Sequence, residues 1–215
     1  MAISGKDYLD CTLTSSLGTG DYRGIFFKHL RRGATLPCSE TTTTATIYDD
    51  QESLLVEIFQ GERPLTRHCA LLGSINVTDL PRDKAEKVLV EVTLSIDRDE
   101  VLTVKAKELK TNKKLSVVIE KAQMKSNIDN MVTEAIDNKL NDEKLVSKLN
   151  EIDKLVELIR RKYVHQTKVT DKMTEIIDRI TEKEQTIDIN GCDAILNEIK
   201  EFFNNRKANK QEQKS

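Results

Sequence analysis

A chain of 215 residues is long enough for one or two modest domains with an apolar core. It carries 34 basic against 36 acidic residues, and this balance argues against the basic surface of a nucleic-acid-binding protein. The four cysteines form no CxxC pair, and no segment approaches the roughly 20 apolar residues of a membrane span. We therefore expect a soluble, cytoplasmic protein that binds neither nucleic acid nor a membrane.

The first half of the chain has the pattern of β-strands. Short segments rich in Thr, Val, Ile and Leu alternate with turn residues, and Val88, Val90 and Val92 alternate with Leu89 and Glu91. With no helix between them, these segments predict an antiparallel β-sandwich of about eight strands. The strands that the pattern places are residues 24–30, 41–48, 54–60, 70–77, 88–96, 101–107 and 114–120.

The second half has helical periodicity. One stripe defines a helix over residues 142–165 and consists of Leu145, Leu149, Ile152, Val156, Ile159 and Tyr163. Further helices are expected over 126–140, capped by Ser126 or Asn127, around 169–180, and after Asn190-Gly191. Amphipathic helices this short are marginal alone, so a bundle is expected. The near-heptad stripe also leaves open self-association as a coiled coil.

These two patterns divide the chain into three parts. We expect an α+β fold with a β-sandwich domain over residues 1–122, a helical bundle over 123–206 and a disordered tail over 207–215. The tail is assigned because it has no apolar partner.

No residue pattern indicates catalysis or metal binding. His68 and Cys69 are adjacent, and neighbours on a strand point to opposite faces, so they do not form a nucleophile and base. His29 and His165 lack companions at metal-ligand spacing. The sequence predicts neither a catalytic residue nor a metal ligand.

Seven short motifs give the sandwich a more specific interpretation. They are Ser16-Leu17-Gly18, Thr35-Leu36-Pro37, Gln60-Gly61-Glu62-Arg63, Leu72-Gly73, Glu91-Val92-Thr93, Ile96-Asp97 and Asn130-Met131-Val132. Their order and spacing resemble the substrate-binding region of the seventy-kilodalton heat-shock chaperone family. The resemblance is strong from Tyr8 to Val132, and it continues in pattern through the later helices.

The resemblance implies a function in peptide capture. In this family the β-sandwich holds an extended peptide of an unfolded polypeptide in a channel, and the helices form a lid. The matched positions of the central pocket are Thr19, Thr44, Leu54, Val56 and Val90. Two residues, Tyr22 and Ile47, would arch over the peptide. Because Thr19 and Thr44 replace the usual large apolar residues, we expect a shallower or more polar pocket with Leu54 making the hydrophobic contact.

The resemblance also implies two ionic latches for the lid. The positions of one latch are Ala85 and Val156, and neither residue can form an ion pair. The other latch would join Asp49 to Arg160. We therefore expect a lid that is present but differently tuned.

In the family, ATP and Mg²⁺ act in a separate actin-like domain, with a J-domain co-chaperone and a nucleotide-exchange factor as partners. We expect this domain to be absent here, so that the chain binds peptide without hydrolysing nucleotide and needs no cofactor of its own. One alternative is an adaptor that oligomerises through its helices and has a non-binding sandwich. A hydrolase on a β-sandwich is disfavoured because no acid, base and nucleophile can be assembled.

Overall fold

The computed structural model describes residues 11–119 and 128–212, with side chains described as far as residue 204. Within these residues, eight strands are followed by four α-helices, and one 3-10 helix, Thr66–His68, lies between the fourth and fifth strands. The strands are β1 Leu17–Gly20, β2 Phe26–Leu30, β3 Cys38–Ala45, β4 Ser53–Gln60, β5 Ala70–Thr78, β6 Leu89–Ile96, β7 Leu102–Glu108 and β8 Lys114–Ile119. The helices are α1 Ile128–Asp137, α2 Lys139–Lys162, α3 Thr167–Glu182 and α4 Ile189–Glu212.

The strands form two four-stranded antiparallel sheets, in the orders β2-β1-β4-β5 and β3-β6-β7-β8. Their inner faces share one aliphatic core. Along β6, Val90, Val92, Leu94 and Ile96 are buried, and the residues between them face outward. This alternation places one face of β6 on the core and the other towards solvent. The predicted α+β fold with a β-sandwich followed by helices is confirmed.

The strand boundaries differ from the predicted ones where turns intervene. The sequence pattern did not define β1, which has the sequence LGTG and lacks the apolar alternation of a strand. Strand β3 lies three residues earlier than predicted, because the chain turns after Ala45, and Asp50 adopts a φ of 53°. Left-handed backbone of this kind is typical of a turn, here the one between β3 and β4, and is tolerated by aspartate. The predicted strand end at Glu120 lies outside the described residues.

Five of the six residues of the predicted stripe are buried, whereas Tyr163 is half-buried and lies just past the end of α2. Leu145, Leu149, Ile152, Val156 and Ile159 of α2 are all buried, together with Val169, Met173, Ile176, Ile177 and Ile180 of α3 and Cys192, Ile195, Leu196 and Ile199 of α4. The bundle interpretation of the stripe is therefore confirmed for α2. The caps proposed at Ser126 and Asn127 lie outside the described residues.

The last helix begins earlier than predicted. Asn190 and Gly191 belong to the first turn of α4, and the backbone amide of Gly191 donates to a carboxylate oxygen of Asp188 at 2.8 Å. The Asp188 side chain thereby satisfies a donor that would otherwise be orphaned at the helix start, and this offsets the low helix propensity of glycine. At the other end the backbone is helical through Glu212, whereas the sequence predicted a disordered tail from residue 207.

The chain forms two compact units. The larger unit contains the sandwich and α1 and ends at Asp137, whereas the sequence placed the boundary after residue 122. The other unit begins at Asn138 and also includes Tyr22–Gly24 of the turn between β1 and β2. No helix of the described residues is long and apolar enough to cross a membrane.

Candidate functional site

The five predicted pocket residues lie on the inner faces of the sandwich. On the first sheet, Thr19 pairs with the fully buried Ile58, and Val56 and Leu54 precede Ile58 by two and four residues along β4. Alternate residues of a strand share a face, so Thr19, Val56 and Leu54 point towards the core side. On the second sheet, Thr44 lies directly opposite Val90.

The five residues differ in how deeply they are buried. Val56 and Val90 belong to the aliphatic core, with exposed fractions of 4 % and 0 %. Leu54 is half-buried and packs against that core, and Thr44 is also half-buried. Thr19 and the two valines are therefore buried, while Leu54 and Thr44 retain surface that a ligand could cover.

A histidine that the sequence left without a role completes the polar side of this group. The Nε2 atom of His29 lies 2.8 Å from the hydroxyl oxygen of Thr19, within hydrogen-bonding distance. Partial burial lowers the pKa of His29, and the negative charge of Glu40 on β3 opposes this shift. The neutral imidazole is thus favoured beside Thr19.

The position of His29 depends on an irregularity between β1 and β2. Leu17 pairs with Leu30 and Gly18 pairs with Lys28, so His29 is the extra residue of a β-bulge. A bulge redirects side chains relative to regular pairing. Gly18 is required here because a Cβ atom at position 18 would overlap the carbonyl oxygen of Phe27. The glycine is visible in the sequence, but the bulge it permits is not.

Glu62 gives the Gln60-Gly61-Glu62-Arg63 segment a structural role in the first sheet. Its carboxylate accepts from the Ser16 amide at 2.8 Å, the Ser16 hydroxyl at 3.1 Å and the Lys28 ammonium at 2.9 Å. Burial alone raises the pKa of Glu62, but the bonds from Ser16 and Lys28 outweigh it, so the pKa lies below its ordinary value. Glu62 ties the end of β4 to the start of β1, which holds Thr19 opposite Ile58.

The two proposed arch residues have different hydrogen-bonding partners. The Tyr22 hydroxyl donates to the Asp153 carboxylate. The neighbouring Arg23 is buried and bonds to Asp153 at 3.1 Å and to Asn150 at 2.9 Å, as a buried charge requires. The backbone amide of Ile47 donates to the Gln51 side-chain oxygen at 2.9 Å. The sequence did not single out Arg23 or Asp153, because their separation of 130 residues leaves no local pattern.

Both residues of the predicted latch have hydrogen-bonding partners within their own units. Asp49 accepts from the Lys84 ammonium at 2.6 Å and from the Ala85 amide at 2.9 Å. Arg160 donates to the Thr174 hydroxyl at 3.1 Å. The pairing of Asp49 with Arg160 stays a prediction. Of the other latch position, Val156 is part of the helical core.

Comparison with protein families identifies a match that spans nearly the whole chain. The family described as Hsp70 protein matches residues 7–214. The match includes both the sandwich and the helices.

Proposed function

Because this chain belongs to the Hsp70 family, we propose that its β-sandwich captures extended segments of unfolded polypeptides. The observation that carries the proposal is the position of Leu54, an apolar side chain that packs against the core yet remains partly exposed. Thr19, Thr44, Val56 and Val90 share the inner faces with it. The proposal assigns these five residues to the pocket for one peptide side chain.

The physics of an extended peptide suits such a site. Its backbone groups can bond to the channel whatever its sequence, and only the side chain in the pocket is selected. Covering a leucine-sized side chain contributes about 1.5–3 kcal/mol. This is enough to favour apolar segments, which folded proteins hide and unfolded proteins expose.

The arch and latch are further parts of the proposal. Tyr22 and Ile47 would restrain the peptide backbone, and an Asp49–Arg160 pair would help hold the helical lid. An exposed ion pair contributes only about 0–1 kcal/mol, so the latch would have a small effect on lid closure and would not determine peptide affinity. Control by ATP, a J-domain co-chaperone and a nucleotide-exchange factor is assigned to a separate nucleotide-binding domain. We propose a cytoplasmic location.

Replacing Leu54 with Asp tests the pocket. Fluorescence anisotropy with a labelled apolar heptapeptide should show at least a tenfold weaker affinity, because the change removes apolar surface and places a charge in the pocket. The matched control is Leu55→Asp, since Leu55 lies on the opposite face of β4 and is 57 % exposed. If both variants bind the peptide as tightly as the unmodified chain, the pocket assignment is wrong.

A further inference from the structure

The inner face of β3 carries a column of hydroxyl groups. Thr42 pairs with Val92 and Thr44 with Val90, both buried valines of the neighbouring strand. The next residue with this alternation is Thr46, whose amide donates to the Val88 carbonyl. An edge strand that faces an aliphatic core therefore presents three threonines to it.

The opposing sheet continues this polar character. Thr19 is hydrogen-bonded to His29 and faces inward from β1. The apolar surfaces of Leu54 and Val56 lie on the same sheet. The pocket assigned above is thus amphipathic, with hydroxyl groups supplied by both sheets and aliphatic surface supplied by β4.

The hydroxyl column is not fully satisfied within the protein. The hydroxyl oxygen of Thr46 is buried and has no hydrogen-bond partner among the described residues. Thr44 is half-buried, so a ligand that covers it would remove its remaining access to water. A purely apolar side chain would leave that hydroxyl without a partner, which is unfavourable, whereas a hydroxyl on the ligand would provide one.

We propose that this pocket prefers a peptide side chain with both a methyl and a hydroxyl group, so that threonine is bound more tightly than valine. The inference rests on the proposed peptide-binding function. Threonine and valine have the same shape, and only the hydroxyl distinguishes them. In an apolar pocket valine binds better because the hydroxyl must be desolvated, so the sign of the preference identifies the chemistry of the pocket.

Two labelled heptapeptides measure this preference directly. Each has a single central threonine or valine flanked by alanines and one terminal lysine, so that only one register places a branched side chain in the pocket. A third peptide with central leucine tests binding itself. One hydrogen bond gained in a covered site corresponds to affinity for the threonine peptide that is about three- to tenfold tighter than for the valine peptide.

Two substitutions of Thr44 test whether its hydroxyl causes the preference. Thr44→Val removes the hydroxyl and keeps the β-branched shape, so the preference should shift to valine, while Thr44→Ser should retain a preference for threonine. The matched control is Thr43→Val, which changes the neighbouring exposed residue on the outward face and should leave the preference intact. Amide hydrogen exchange of β3 establishes that each variant keeps its fold.

The outcomes separate the inference from the function on which it rests. The inference is supported if the unmodified chain binds the threonine peptide more tightly than the valine peptide and Thr44→Val loses this preference. A valine peptide that binds at least as tightly as the threonine peptide overturns it while leaving peptide binding intact. If none of the three peptides binds, the proposed function fails, and the inference fails with it.

Discussion

Replacing Glu62 with Gln tests whether this carboxylate holds the first strand in register. The substitution keeps the shape of the side chain but removes its charge and turns one acceptor oxygen into a donor. In the native protein the carboxylate, whose side chain is 11 % exposed, accepts from Ser16, Ser15 and Lys28. The new amide group can satisfy only part of this set, because an NH₂ group cannot accept from an ammonium or an amide.

The magnitude follows from these contacts. A hydrogen bond to a charged group contributes about 1.5–3 kcal/mol, and a buried donor left without a partner adds a desolvation cost. We therefore expect Glu62→Gln to lower the unfolding free energy of the sandwich by about 2–4 kcal/mol. The pKa of Glu62 lies below its ordinary value of 4.5, so this stabilisation is present above about pH 4.5 and is lost as the pH falls.

Amide hydrogen exchange of β1 and β4 in increasing urea reports on the sandwich without contribution from α2–α4. Glu52→Gln is the matched control, because Glu52 forms an ion pair with Arg82 at 3.3 Å while its side chain is 78 % exposed. Such a surface pair is worth about 0–1 kcal/mol. If Glu62→Gln destabilises β1 and β4 no more than Glu52→Gln does, Glu62 does not anchor the register.

Two further predictions concern the bulge beside the pocket. Gly18→Ala should destabilise the sandwich by about 2 kcal/mol or more, because its Cβ would overlap the Phe27 carbonyl; equal urea midpoints for variant and parent would contradict this. Burial lowers the pKa of His29 from its ordinary value of 6.5, and the charge of Glu40 opposes this shift. The His29 imidazole therefore binds a proton more readily in the unfolded chain than in the folded one. Stability should therefore fall as the pH decreases through about 6.5, and His29→Gln should reduce this dependence in urea unfolding at pH 7.5 and 5.5. An unchanged pH dependence in His29→Gln would show that other groups cause it.

The proposed pocket shares Val56 and Val90 with the aliphatic core, and its polar residues are Thr19 and Thr44. Ile58, Val77, Val90 and Leu94 are essentially inaccessible to solvent and belong to one cluster that spans both sheets. Thr19 is buried and Thr44 is half-buried, and neither is one of the aliphatic residues of this cluster. Pocket chemistry can therefore vary at these two positions while the aliphatic core continues to hold the sheets together.

Sequence by itself determined the features that depend on local periodicity. The alternation along β6 and the four- and three-residue steps of α2 each specify which face is buried, because a strand repeats every two residues and a helix every 3.6. The spaced motifs, of which Gly61 and Glu62 form part, indicated the family that the match over residues 7–214 confirms. The assignment of Leu54 and Val56 to one face of β4 also follows from this periodicity.

Only the tertiary structure decided the features that depend on contacts between distant segments. Strand β1 forms despite two glycines because β2 and β4 pair with it on either side. The bulge brings His29 to Thr19, and Asp188 lets α4 begin before Gly191. Hydrogen bonds and close packing between segments offset weak local propensity. The sequence pattern of one segment does not show which distant residues will contact it.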